Sequence, residues 1–171
     1  FTCEPPDDAD PLLNFSHPSY DNDKLRCANG IAPVIVAAAG NLGAGDSPAK
    51  EYPAADSVYG LLAVAASDAS KHLASFSNSG SWVNVAAPGD AITSAMPTSA
   101  SASGYATWSG TSMAAPLVAG TAALLRAAQP ELAPRDVVRK IARTATSLVG
   151  TNIPQVDAAA AGRAVHAPGS Q

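Results

Sequence analysis

A serine that could act as a nucleophile lies in the segment GTSMAAP at positions 110–116. Two small hydroxyl residues follow a glycine there and precede a long apolar stretch, so Ser112 is predicted at the N-terminus of a helix. The first backbone N–H groups of a helix have no intrahelical acceptor, and such a group can stabilise an oxyanion. On local grounds alone, helix capping by Thr111 or Ser112 is the commoner role.

An asparagine follows the most apolar strand pattern in the chain. Residues 33–39 form a continuous apolar run, which is typical of a strand buried on both faces of a parallel sheet. The run ends at Gly40 and Asn41. Taken alone, an asparagine after a glycine is a common turn residue that ends a strand.

Both segments resemble motifs of one family, the subtilisin-like serine proteases or subtilases. GTSMAAP resembles the nucleophile signature of that family, and AAAGN at 37–41 resembles its oxyanion strand. Other segments that recur in the family in the same order are Ala74–Gly80, Ala86–Gly89, Tyr105–Gly110, Val118–Leu125 and Val156–Ala160. The resemblance covers residues 31–165.

The resemblance implies a secreted serine endopeptidase that hydrolyses peptide bonds through an acyl-enzyme on Ser112, with Asn41 in the oxyanion hole. A protein or peptide substrate would lie extended in the cleft. The residues implied to bind it are Ala38, Ala39, Gly40 and Thr111. No cofactor and no metal ligand are expected in this chain, although the family makes calcium possible in the full domain.

Two motifs of the family do not occur in this sequence. The catalytic Asp in an Asp-Ser/Thr-Gly setting and the catalytic His in a His-Gly-Thr-His setting would both precede Asn41. None of His17, His72 and His166 is followed by Gly-Thr. The chain is therefore predicted to be the C-terminal portion of the catalytic domain, inactive alone, with the missing N-terminal half as its partner. The alternative is a non-catalytic, subtilase-like binding or structural module.

The composition excludes several other classes of protein. Apolar residues make up 47% and charged residues 14%, which argues against a disordered chain. A net charge of −4 argues against a nucleic-acid partner, and the longest apolar run is too short to span a membrane. Cys3 and Cys27 are too few for a disulfide scaffold or a zinc site. They could pair with each other or be two unrelated thiols.

The mixture of strands and helices predicts an α/β fold, and the resemblance implies a three-layer subtilisin-like fold with a mainly parallel sheet, here an incomplete C-terminal part. Residues 1–30 are predicted to be an irregular lead-in with a possible edge strand, 31–165 the catalytic-domain part and 166–171 a tail. The helix predicted at 112–128 is apolar almost all round, so we expect it to be buried. The residues expected to be almost fully buried are Met113, Leu117, Val118 and Leu124, with Val34, Ile35 and Val36.

Overall fold

The computed structural model describes residues 33–43, 50–56 and 60–166, with side chains described as far as residue 164. The lead-in predicted at 1–30, with His17 and both cysteines, lies outside the described residues, as does the tail from 167 onward. The described elements are β1 (Ile35–Ala38), β2 (Leu61–Ser67), β3 (Val85–Pro88), β4 (Ile92–Ala95), β5 (Tyr105–Trp108), α1 (Thr111–Ala128), α2 (Pro134–Thr144), β6 (Thr146–Ser147), β7 (Pro154–Gln155) and α3 (Ala158–His166).

The main sheet is largely parallel, as predicted. Its strand order is β1-β2-β3-β7-β6, and among the described pairings within this sheet only that of β6 with β7 is antiparallel. Strands β4 and β5 form a separate antiparallel hairpin that leads directly into α1. Helix α1 packs against β1, β2 and β3 and contacts both other helices.

Strand β2 is buried on both faces, whereas β1 is not. Leu62 and Val64 of β2 point into the core shared with α1 and α2, while Leu61 and Ala63 pack on the opposite face of the sheet. The expectation of near-complete burial for Val34, Ile35 and Val36 is wrong, because all three are only half-buried. Among the described strands β1 has β2 as its single neighbour, so it forms an edge of the sheet.

Helix α1 buries one face, which corrects the expectation that it is buried all round. Val118 and Leu125 are 0% and 1% exposed, but Leu117 is 44% and Leu124 is 66% exposed. Met113 is half-buried. Apolar residues on every side of a helix indicate what the helix could bury, but burial requires a neighbour on each side. None of the described elements covers the Leu117 and Leu124 side of α1.

Helix α2 is amphipathic. It begins at Pro134, which lacks the N–H that would be unpaired in a first turn. Val137, Val138 and Ile141 are fully buried against the core. None of the helices in the described ranges is long and apolar enough to cross a membrane.

The two adjacent leucines of α1 provide a matched test of this packing. In the 171-residue chain, we expect Leu125→Ala to lower the free energy of unfolding by about 2–5 kcal/mol, because it leaves a cavity in the core. Leu124→Ala should change it by only about 0.5 kcal/mol, because that side chain is mostly in solvent. Urea denaturation of both variants measures the difference, and equal losses would contradict the one-sided burial of α1.

Candidate active site

Three elements meet at the carboxyl edge of the sheet. Because β1, β2 and β3 are parallel, the segments that follow them lie at the same edge. Gly89 follows β3, and its carbonyl accepts a hydrogen bond from Gly110 N at 2.8 Å. A side chain on Gly89 would lie only 2.6 Å from Ala66 Cβ and 2.8 Å from the Gly110 carbonyl oxygen. The absence of a side chain at Gly89 therefore allows the start of α1 to approach the end of β3.

Thr111 joins the start of α1 to the turn after β1. Its backbone N–H donates to Asn41 Oδ1 at 2.8 Å, and its hydroxyl donates to the same oxygen at 3.0 Å. The Thr111 hydroxyl oxygen also accepts a hydrogen bond from Gly40 N at 3.1 Å. The structure thus brings together two segments that lie 70 positions apart in the sequence.

These contacts fix the orientation of the Asn41 amide. A backbone N–H can only donate, so the side-chain atom facing Thr111 N must be the oxygen of the amide. The Asn41 Nδ2 group is consequently left to donate elsewhere. A side chain on Gly110 would lie 3.3 Å from this nitrogen, so the glycine keeps the space beside the amide open.

Ser112 occupies the second position of α1, and its side chain is exposed. The N-cap is Gly110, and no side chain caps the helix, which excludes capping by Thr111 or Ser112. Of the first backbone N–H groups, that of Thr111 is bonded to Asn41 and that of Met113 to the Gly110 carbonyl. The Ser112 N–H has no acceptor among the residues described. The Ser112 N–H directly follows Thr111, the residue that orients the Asn41 amide.

The four residues predicted to bind substrate differ in exposure. Ala38 and Gly40 are half-buried and accessible, whereas Ala39 and Thr111 are 0% exposed. Thr111 uses its hydroxyl on Gly40 and Asn41. In this structure Thr111 and Ala39 therefore lie beneath the surface that a substrate could touch.

No described histidine contacts Ser112. His72 has a side chain that is 53% exposed, and its Nδ1 lies 3.9 Å from Asp68 Oδ1. The side chains of His17 and His166 are outside the described residues. The described part of the chain therefore presents an exposed serine, its unbonded backbone N–H and the oriented Asn41 amide, with no described histidine in contact with that serine.

Sequence reasoning did not identify a second asparagine that supports the turn after β1. Asn78 is 1% exposed and hydrogen-bonded to that turn. Its segment, Ala74–Gly80, was recognised only as a family motif. An asparagine that is buried within an apolar fold points to a structural role, because a buried amide needs hydrogen-bond partners.

The chain is an α/β protein in which an exposed serine begins a helix next to the residue that orients the Asn41 amide. The family model for the subtilases matches residues 13–160, so the chain belongs to the subtilase family. That match begins within the segment predicted as a lead-in.

Individual relatives agree with this assignment. The chain is 42% identical over 140 residues to Subtilisin DY from Bacillus licheniformis, covering 78% of this chain and 48% of that protein. It is 48% identical over 118 residues to Thermitase from Thermoactinomyces vulgaris, covering 69% of this chain and 38% of that protein. The chain thus spans less than half the length of these two relatives.

Solved structures confirm the three-layer α/β fold class. A cold-adapted subtilisin-like serine proteinase matches with a TM-score of 0.58 and 36% identity, covering 70% of this chain and 41% of that one. The self-cleaved protease domain of PatA matches with a TM-score of 0.64 and 30% identity, covering 78% and 51% of the two chains. The chain therefore forms part of a subtilisin-like fold.

Proposed function

We propose that this chain supplies the nucleophile and the oxyanion hole of a serine endopeptidase. Ser112 Oγ is the nucleophile, and Asn41 Nδ2 with the Ser112 N–H stabilises the oxyanion. The observation that carries the proposal is the pair of Thr111 hydrogen bonds to Asn41 Oδ1. They leave the amide nitrogen of the exposed Asn41 to donate elsewhere, and Thr111 is the residue before Ser112. Preorganised donors of this kind act on the charge that develops in the transition state.

Ser112 Oγ attacks the carbonyl carbon of the substrate while its proton passes to a base. The tetrahedral oxyanion is held by the two donors, and the C–N bond then breaks as the base returns the proton to the leaving amine. Water attacks the resulting ester after giving a proton to the base, and the proton returns to Ser112 Oγ as the acid product leaves. Thr111 acts as a positioning residue in this scheme, because it is buried.

The base is supplied by an N-terminal half of the domain, in which the family carries its Asp and His motifs. Two features support this partner. Leu117 and Leu124 leave an apolar side of α1 exposed, and β1 has an edge unpaired by any described strand. An apolar helix face and a free strand edge are surfaces that a folded domain normally covers.

The substrate is a polypeptide that lies extended beside the accessible residues Ala38 and Gly40, and the enzyme acts outside the cell. The titles of two similar solved structures, a subtilisin-like serine proteinase and a protease domain, support the choice of a polypeptide substrate. The reaction needs no cofactor, since a serine, a base and oxyanion donors are sufficient for acyl transfer. The described residues contain no group of three or more His, Cys, Asp and Glu side chains that could hold a metal ion.

Asn41→Ala tests the proposal in the protein that carries both halves of the domain. We expect kcat for a peptide substrate to fall about 10²–10³-fold with KM little changed, which is the scale known for this change in subtilisin itself. Asn152→Ala, at an exposed position before β7, is the control and should leave kcat unchanged. An unchanged kcat in Asn41→Ala would show that Asn41 does not stabilise the oxyanion.

A second candidate is a subtilase-like module that binds without catalysis. The observation favouring it is that no described histidine contacts Ser112. The coding sequence upstream of Phe1 discriminates between the two candidates. An Asp-Ser/Thr-Gly and a His-Gly-Thr-His motif there support the enzyme, and their absence supports the binding module.

A further inference from the structure

A buried asparagine lies directly behind the turn that carries Asn41. Asn78 belongs to the loop between β2 and β3, and its side chain is 1% exposed. The loop is itself tied to β2, because Ser77 Oγ accepts a hydrogen bond from Ala66 N at 2.9 Å and donates to the Asn78 carbonyl at 3.1 Å. Asn78 is therefore held next to β2, every residue of which is buried.

Three hydrogen bonds connect Asn78 to the residues on both sides of Asn41. Its Nδ2 donates to the Ala39 carbonyl at 3.0 Å, and its backbone N–H donates to the Gly40 carbonyl at 2.9 Å. Its Oδ1 accepts from Leu42 N at 2.8 Å. Asn78 thus fixes the backbone before and after Asn41, whereas Thr111 fixes the Asn41 side chain.

Gly40, in the turn before Asn41, is closely surrounded by Glu51 and Asn78. Gly40 has a φ of +102°, a region that side-chain-bearing residues rarely adopt. A side chain on Gly40 would overlap Glu51 Cγ and would lie 2.5 Å from Asn78 Nδ2. The backbone that directs Asn41 is therefore in close contact with the amide of Asn78.

We propose that Asn78 is a positioning residue for the oxyanion hole, acting through the backbone of residues 39–42 to aim the Asn41 amide. This inference rests on the proposed function of Asn41 and Ser112. An oxyanion donor acts over hydrogen-bond distances, and an error of about 1 Å can reduce the rate about 10²-fold. Removing the Asn78 amide frees the turn without touching the substrate, so it should lower kcat while leaving KM nearly unchanged.

Asn78→Ala and Asn84→Ala form a matched pair for the test, in the protein carrying both halves of the domain. Asn84 is also tied to β2, since its Oδ1 accepts from Ala63 N at 2.7 Å and its N–H donates to the Ala63 carbonyl at 3.0 Å. Both variants should lower the melting temperature. Only Asn78→Ala should lower kcat, by about 10–100-fold, and Asn84→Ala should retain the parental kcat of its folded fraction.

A double-mutant cycle separates positioning from a general structural role. If Asn78 acts through Asn41, then Asn78→Ala in an Asn41→Ala background should lower kcat by less than about threefold, because the donor it aims is already gone. If Asn78→Ala does not fold, Asn78→Ser takes its place. That serine keeps the backbone bond to Gly40 but is too short to bridge Ala39 and Leu42, so a smaller loss with the same non-additivity is expected.

The outcomes distinguish this inference from the proposed function. A parental kcat in folded Asn78→Ala, or the same fold-loss with and without Asn41, overturns the positioning role. If Ser112→Ala is inactive in the same assay, Ser112 remains the proposed nucleophile even though the positioning role of Asn78 has been overturned. If Ser112→Ala remains active, the proposed function fails and the role of Asn78 fails with it.

Discussion

Ser112→Ala is expected to abolish peptide hydrolysis in the protein that carries both halves of the domain. The neighbouring hydroxyls at the start of α1 are engaged elsewhere, because Thr111 is fully buried and the Ser109 hydroxyl donates to Asp90 Oδ1 at 2.6 Å. Loss of the nucleophile in subtilisin itself reduces kcat about 2 × 10⁶-fold, and we expect a loss on that scale. Steady-state hydrolysis of a chromogenic peptide measures it.

The control for this variant is Ser147→Ala. Ser147 is an exposed serine in the short strand β6 at the far edge of the sheet, so its loss should leave kcat unchanged. Both variants should fold, because neither side chain is buried. Residual hydrolysis in Ser112→Ala within tenfold of the parent would show that another group is the nucleophile.

The isolated 171-residue chain is expected to hydrolyse peptides about 10⁶-fold more slowly than the two halves together. A serine hydroxyl is a weak nucleophile unless a base removes its proton, and no described histidine contacts Ser112. Adding the N-terminal half in trans should restore activity and cover the apolar side of α1. Activity assays with and without that half, with chromatography to detect the complex, measure both effects.

A matched control uses an N-terminal half whose catalytic histidine has been replaced by alanine. It should bind this chain and bury the Leu117 side of α1, yet restore no activity. Full activity of the isolated chain would contradict the account. The missing base would then have to lie within this sequence, and His17 would be the first residue to replace.

Regular elements of the fold could be predicted because their sequence patterns are local. Strand β1 and helix α1 lie within or at the apolar runs predicted at 33–39 and 112–128. The exposure of Leu117 and Leu124 could not be predicted in this way. Their hydropathy describes the side chains, whereas burial depends on what else lies beside α1.

The candidate site was predicted from motifs and not from local patterns. Ser112 and Asn41 lie in GTSMAAP and AAAGN, which resemble family motifs, whereas their local patterns alone favour helix capping and a turn. The roles of Thr111 and Asn78 depend on hydrogen bonds between segments far apart in the sequence, and residue type alone does not specify such partners. Thr111 was predicted to touch substrate, but its hydroxyl is buried against Gly40 and Asn41.

The most direct test of the central claim is to label the complete domain with an active-serine phosphonate and locate the adduct by mass spectrometry. The account predicts one adduct, on Ser112, which forms about 10²–10³-fold more slowly in Asn41→Ala because the oxyanion hole also stabilises the phosphonyl transition state. An adduct on another residue, or no adduct in a domain that hydrolyses peptides, would contradict the assignment of Ser112 as the nucleophile.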